Sequence, residues 1–241
     1  MRAEARHQLK QDKFSKVTIE AAGKTFDWSS HHKARIAIAS VVVLIVAGAG
    51  FFVWYSLNQQ DQSASLELSQ AVRTLDTSLR PAGTPPQPEL PSFASSAERA
   101  TEAHKEFQAI VDKYPHTRSA EIAHYFVALT DVDLGDNTGA TRELQSVAGS
   151  HNEDLSALAR FALASVYRNQ GQNKQAIELY KALIAKPTAT VGKVSAQMEM
   201  AAAYEADQQP LEASKIYQQV QKENPSTPAA QLATEKLQGQ K

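Results

Sequence analysis

The 241-residue chain contains no cysteine, which excludes disulfide bonds, thiolate nucleophiles and zinc sites with thiolate ligands. It also lacks the common catalytic signatures Gly-x-Ser-x-Gly, the Walker phosphate loop, Gly-x-Gly-x-x-Gly and His-Glu-x-x-His. We therefore expect no catalytic residues, no cofactor and no enzymatic activity.

Histidine and aspartate are present, but without the spacing of metal ligands. His31 and His32 are adjacent, and we interpret this pair as a solvated flank of the apolar segment that follows. Asp131, Asp133 and Asp136 form an acidic group, whereas a calcium loop needs alternating oxygen ligands over about 12 residues. Because apolar residues separate these aspartates, we interpret them as the solvated face of a helix and predict no metal site.

Charged residues are absent from positions 36–55, which read IAIASVVVLIVAGAGFFVWY. At about 1.5 Å per residue, a helix of this length spans the roughly 30 Å hydrocarbon core of a bilayer. A core helix of a soluble protein would keep a polar face, and this segment has none. No cleavage-like pattern follows it, so we predict an uncleaved transmembrane helix over 36–57 that contacts membrane lipid.

Charge is distributed unevenly around this segment. Residues 1–35 carry a net charge of +4, and the rest of the chain carries −5. Because basic flanks stay in the cytoplasm, we expect a cytoplasmic tail over 1–35 and a periplasmic domain over 58–241. The chain would then be a single-pass protein of the bacterial inner membrane. An acidic body also argues against a nucleic-acid partner.

The sequence after this segment is periodic. Two sets of residues, one small and one bulky, recur together at intervals of 37, 36 and 37 residues. The small set is Ala103, Ala140, Ala176 and Ala213, and the bulky set is Phe107, Leu144, Tyr180 and Tyr217. This pattern resembles the tetratricopeptide repeat, a hairpin of two helices, A and B, that has about 34 residues. The small residues let the two helices approach closely.

We therefore predict an all-α chain in which the transmembrane helix precedes a tetratricopeptide-repeat (TPR) solenoid of about three to four hairpins. The clearest repeats lie over 117–225, and a capping helix follows from Pro228. A broken unit precedes them, with helix A expected over 62–79 and helix B over 95–114. Five prolines fall within positions 81–91, so we interpret residues 81–93 as a surface loop.

Individual residues predict where the helices end. Gly171 is expected to allow the turn inside a hairpin, and Gln208 stands at the matching turn of the last hairpin. Thr117 and Thr227 each follow a proline by two positions and are expected to cap the next helix.

The A helices of this repeat line a concave groove. Alignment of the units places eight residues there: Tyr125, Leu129, Phe161, Ser165, Arg168, Met198, Ala202 and Glu205. Leu129, Ser165 and Ala202 stand where a clamp for acidic chaperone tails needs asparagine, so we do not expect that ligand. The apolar lining suits an amphipathic helix or an extended apolar segment. Alternatively, helix 62–79 or the terminal helix fills the groove.

The combination of anchor and repeats is similar to the YfgM-like family of bacterial inner-membrane proteins. The start of the chain adds to the likeness, because it matches that family's R-x-x-L-K-x-D-x-F opening at Arg6, Leu9, Lys10, Asp12 and Phe14. The resemblance implies an ancillary subunit of the SecYEG translocon. Its partners would be translocon subunits, periplasmic chaperones or exported proteins.

Two other functions are compatible with the same pattern. The repeats could serve as an adaptor in envelope assembly or cell division. The chain could instead have a regulatory role, or an enzymatic one whose catalytic part lies on a partner, with the tail docking a soluble regulator or resting on anionic lipid. Capture of peptidoglycan-synthesis or outer-membrane assembly factors would favour the first of these. Deletion of residues 2–30 would separate a role of the tail from a role of the periplasmic domain.

Overall fold

The computed structural model describes residues 33–81, 83–85 and 92–239. Nine helices lie in these ranges: α1 (Lys33–Asp76), α2 (Ser96–Lys113), α3 (Arg118–Leu134), α4 (Asn137–Ala148), α5 (Glu153–Asn169), α6 (Asn173–Ala185), α7 (Lys193–Ala206), α8 (Pro210–Glu223) and α9 (Pro228–Gly239). One isolated bridge, between Leu79 and Phe93, is the sole extended pairing in the same ranges. The prediction of an all-α chain is confirmed.

The chain divides into two units between Ser56 and Leu57. Several sequence predictions concern residues outside the described ranges. These are residues 1–32 of the predicted tail over 1–35, the opening motif, the His31–His32 pair and the prolines over 86–91.

α1 begins with the uncharged segment. From Ile38 to Tyr55 its large apolar side chains are between 50% and 72% exposed, whereas a helix in a protein core would bury them. By length and composition, α1 is therefore a candidate membrane span, and it is the one such helix in the described residues.

The separate helix predicted over 62–79 is wrong in its bounds. Residues 62–76 belong to α1, which continues without interruption from Lys33 and ends at Asp76. The physical reason is that no glycine or proline lies between Phe51 and Asp76, so nothing in the sequence stops the helix there.

The second unit is built from helical hairpins. The pairs α3/α4, α5/α6 and α7/α8 are complete hairpins, and every helix from α2 to α9 packs on the next one. Within this described stretch, α3 also contacts α5, α5 contacts α7 and α7 contacts α9, while α2, α4, α6 and α8 do not contact one another. The A helices therefore form the inner row of a curved solenoid, and the B helices form its outer row.

The periodic residues form the core, as predicted. Ala103, Ala140, Ala176 and Ala213 are fully buried, and the bulky members of the pattern are at most 1% exposed. Each bulky residue lies in its own apolar cluster, where one B helix packs between two A helices. Burial of a side chain of this size contributes about 2 kcal/mol, so each bulky residue of the pattern stabilises the cluster in which it lies.

The C-terminal part of α1 serves as helix A of the first hairpin. Ala64 and Ala71 are fully buried against α2 in the cluster around Phe107. Polar contacts reinforce this packing: Glu67 Oε1 accepts hydrogen bonds from Lys113 Nζ at 2.6 Å and from the Tyr114 hydroxyl at 2.9 Å.

The predicted helix ends are confirmed. Thr117 Oγ1 accepts from the backbone N–H of Ala120 at 3.1 Å, and Thr227 Oγ1 accepts from that of Ala230 at 3.2 Å. Gly171 has a φ of 74°, a left-handed conformation that glycine adopts at little cost.

The predicted loop over 81–93 has its two ends joined. The backbone N–H of Arg80 donates to the carbonyl oxygen of Phe93 at 2.7 Å, and the Arg80 guanidinium donates to that of Ser92 at 3.1 Å. The described residues between these ends, Pro81 and 83–85, form no helix. The excursion therefore begins and ends at one place beside the first hairpin.

Candidate protein-binding groove

The eight predicted groove residues lie on the three inner helices and are all partly exposed. Tyr125 and Leu129 are on α3; Phe161, Ser165 and Arg168 are on α5; Met198, Ala202 and Glu205 are on α7. Within each helix the spacing is three or four residues, which places the side chains along one face.

A hydrogen-bonded set of side chains joins α5 to α7 within this row. Arg168 Nη1 donates to Glu199 Oε2 at 2.6 Å, so these two side chains form an ion pair between neighbouring A helices. The pair is partly exposed, with 25% of the Arg168 side chain and 36% of the Glu199 side chain accessible. Solvent therefore reaches both charges, and so could a ligand.

Two tyrosines of the B helices contact the same side of α5 and α7. The Tyr180 hydroxyl lies 3.0 Å from Ser165 Oγ, and its ring packs edge-on against that of Phe161 with centroids 5.6 Å apart. The Tyr217 hydroxyl hydrogen-bonds the Glu205 side chain. We define the polar cluster as Ser165, Arg168, Tyr180, Glu199, Glu205 and Tyr217.

The two tyrosine hydroxyls are held in their neutral form. Burial raises the pKa of Tyr180, and it raises the pKa of Tyr217 more strongly because the Glu205 carboxylate adds to the effect. Both hydroxyls therefore remain protonated at physiological pH and keep their contacts with Ser165 and Glu205.

The α3 end of the row is formed by aromatic and apolar side chains. The Tyr125 ring packs edge-on against Phe126 at 5.7 Å, and Phe126 stacks on Phe107 at 4.9 Å. The B helix behind it supplies Leu144 at the position of Tyr180, so it brings no hydroxyl. We define Tyr125 and Leu129 as the apolar end of the groove.

The terminal helix does not reach the part of this row that lies on α3 and α5. α9 packs against α8 and α7, with Ala233 and Leu237 in the apolar cluster around Tyr217. Within the stretch from α2 to α9, it makes no contact with α3 or α5. α9 therefore occupies the place of the next A helix, as a solenoid cap does.

The interpretation of the aspartate group as a solvated face is wrong for Asp131. This side chain is buried, with 6% of the residue exposed, and its Oδ1 lies 3.1 Å from His104 Nδ1. Asp133 and Asp136 are exposed, and Asp136 caps α4 by accepting from the N–H of Gly139 at 2.9 Å. In the described residues, no group of three or more His, Cys, Asp or Glu is placed to hold a metal ion.

Sequence reasoning did not identify Glu199 as part of the groove, and it assigned Tyr180 and Tyr217 only a packing role. A signal was present for the tyrosines, because they alone carry hydroxyls in the bulky series. No comparable signal marks Glu199, since its partner Arg168 is 31 residues away.

Comparison with known proteins agrees with this architecture. The sequence model of the tetratricopeptide repeat-like domain matches residues 24–190, well over half of the chain. The chain belongs to this family. A second model, of the tetratricopeptide repeat, matches residues 195–227 and so covers the hairpin α7/α8. Tetratricopeptide repeats form scaffolds for protein–protein interaction, which is the general role of this domain.

Solved structures show the same fold. Two crystal structures show nearly identical TPR-like repeats of a Podosopora anserina protein assigned as a kinesin light chain, and one of them is a point variant. Each aligns with this chain with a TM-score of 0.56 at 18% identity. Each alignment covers 73% of this chain and 84% of the other. At this identity the likeness extends to the fold alone. No curated protein matches the chain.

Proposed function

We propose that the chain is a membrane-tethered scaffold whose repeat domain binds segments of other polypeptides in the bacterial periplasm, beside the Sec translocon and its chaperones. The observation that carries the proposal is the row of partly exposed side chains on α3, α5 and α7, of which α9 contacts only the α7 part. The eight predicted groove residues would form the contact surface.

Tethering is supported by the exposed apolar side chains of α1 between Ile38 and Tyr55. The charges that flank this segment support the orientation, because basic residues concentrate before it. On this basis we assign residues 1–35 to the cytoplasm, 36–57 to the inner membrane and 58–241 to the periplasm. The role beside the translocon rests on the resemblance to the YfgM-like family.

Site-specific photocrosslinking in intact membranes tests the binding surface. A photoreactive residue at Leu129 or Met198, both in the groove, is expected to capture translocon subunits, periplasmic chaperones or exported chains. The matched controls are Gln175 and Gln218, which are exposed on the outer helices α6 and α8. Equal capture from the inner and outer positions would contradict the assignment of the groove.

The orientation is tested independently of any partner. A C-terminal alkaline phosphatase fusion is expected to be active, because this reporter folds only outside the cytoplasm. An inactive fusion, together with an active cytoplasmic reporter at the same position, would reverse the assignment of 58–241 to the periplasm.

A further inference from the structure

We infer that the groove selects polypeptide segments in which an apolar stretch is followed or preceded by lysine or arginine. The apolar side chains would lie on Tyr125 and Leu129, and the basic side chain would lie on Glu199 and Glu205. The inference rests on the proposed function, because it assigns a partner chemistry to the same groove.

The apolar end offers a charged ligand no group of opposite charge. Tyr125 and Leu129 are partly exposed, and the Tyr125 ring packs against Phe126, which in turn stacks on Phe107. A charged side chain placed there would lose part of its hydration without gaining a partner of opposite charge. An apolar side chain would instead remove apolar surface from water, which contributes about 25 cal/mol per Å².

The polar cluster has an excess of negative charge. It contains two carboxylates, on Glu199 and Glu205, and one guanidinium, on Arg168. The Arg168 guanidinium contacts Oε2 of Glu199, and a carboxylate can accept about four hydrogen bonds in total. Glu199 can therefore accept from a ligand ammonium group while it keeps its contact with Arg168.

The buried tyrosines beneath the cluster strengthen the effect of this charge. Tyr180 and Tyr217 are at most 1% exposed, so the floor of the cluster is protein and not water. Charges at such a surface interact more strongly than charges in bulk solvent. An acidic ligand would meet the same excess of carboxylates and an arginine that is already engaged, so the cluster disfavours it.

The two ends of the groove set a length for the ligand. Adjacent packed helices lie about 8–10 Å apart, so two such spacings, from α3 to α7, amount to roughly 20 Å. An extended chain covers that distance in about six residues. The basic side chain is therefore expected about six residues away from the apolar ones.

Peptide binding to the full chain in nanodiscs of phosphatidylcholine tests the inference by fluorescence anisotropy. The probes are labelled peptides of about eight residues with leucine and phenylalanine at one end, a glycine–serine spacer, and two lysines, two glutamines or two glutamates at the other. Each is made in both chain directions, and empty nanodiscs measure binding to lipid. The lysine peptide is expected to bind about threefold to fivefold more tightly than the glutamine peptide, and the glutamate peptide more weakly than either.

The double variant Glu199→Gln/Glu205→Gln is expected to abolish the preference for lysine. Its matched control is Glu178→Gln/Glu212→Gln, which makes the same change of charge on the outer helices α6 and α8 and is expected to retain the preference. Circular dichroism checks that both variants fold. If one of them does not, added salt on the unmodified chain provides the same test, because it should reduce lysine-peptide binding selectively.

The outcomes separate this inference from the proposed function. Equal binding of the three peptides, together with capture of the bound peptide by a photoreactive residue at Leu129, would overturn the charge preference and leave the groove in place. Preference for the glutamate peptide would overturn it as well. Binding of no peptide would overturn both this inference and the groove as a binding surface for short segments.

Discussion

Asp131 Oδ1 lies 3.1 Å from His104 Nδ1, so a buried carboxylate on α3 meets a histidine on α2. The same histidine nitrogen lies 3.1 Å from Thr130 Oγ1. The contact therefore joins the first hairpin to the second.

The pH dependence of stability should depend on Asp131. Burial is the main cause that raises the pKa of this carboxyl, and the His104 charge only partly opposes it. A raised folded-state pKa means that the folded state binds the proton more tightly than the unfolded state. The stability contributed by Asp131 is therefore present in acid and is lost as the pH rises through the folded-state pKa.

Relative to the unmodified chain, Asp131→Asn should therefore gain in free energy of unfolding as the pH rises from about 4 to about 7. The measurement is urea denaturation of the detergent-solubilised chain, followed by circular dichroism. Asp133→Asn makes the same change of charge on the exposed part of α3. A difference between Asp131→Asn and the unmodified chain that is constant with pH would show that burial does not control this carboxyl.

Gly139→Ala should destabilise the second hairpin, although alanine usually favours a helix over glycine. A Cβ at this position would lie 2.8 Å from Asp131 Oδ2 and 2.5 Å from Asp136 Oδ2. One carboxyl is buried and the other caps α4, so neither can move without losing a contact. We expect a loss of about 1–3 kcal/mol in the free energy of unfolding. Thr138→Ala, at the exposed neighbouring residue, should change it by less than about 0.5 kcal/mol.

Gln208→Gly should stabilise the last hairpin. Gln208 has a φ of 57°, a left-handed conformation that costs a residue with a side chain about 1 kcal/mol. Gly171 holds the matching turn at 74°, and nothing lies within 4 Å of a Cβ built there. Gln208→Gly is therefore expected to raise the free energy of unfolding by about 0.5–1 kcal/mol, and Gly171→Ala to lower it by a similar amount. A change of the same sign in both variants would contradict the role of the left-handed turn.

Tyr180→Phe should cost about 1 kcal/mol of stability, because it removes the hydrogen bond with Ser165 from a fully buried site. The control is Tyr167→Phe. The Tyr167 hydroxyl accepts from Gln145 near the surface, so its hydrogen bond should contribute less than about 0.5 kcal/mol. Thermal unfolding of both variants measures the difference. Equal losses would indicate that the Tyr180 hydroxyl is not shielded from water.

The sequence carried enough information to place most of the helices and their ends. The recurrence of alanine and of bulky residues identified the core, because close packing of two helices requires a small residue at a fixed position. Gly171 and Thr117 could be assigned because their effects are local. The groove residues follow from the alignment of the repeats, and their role in binding stays a prediction.

Other features depended on residues far apart in the chain. The burial of Asp131 depends on Gly139, whose missing side chain leaves room for the carboxylate. The ion pair of Arg168 with Glu199 forms only because α5 packs beside α7. The start of helix A in the first hairpin was misjudged for a different reason, since a boundary was expected where no helix-breaking residue occurs.

The hydrogen bond from Arg80 to Phe93 makes the proline-rich excursion a tolerant place for insertions. Its two ends meet beside the first hairpin, so a change in the length of the chain between them leaves the start of α2 where it is. Each doubling of such a loop costs only about 0.6 kcal/mol of closure entropy. An epitope tag or a small reporter domain could therefore be carried at this position while the solenoid behind it remains intact.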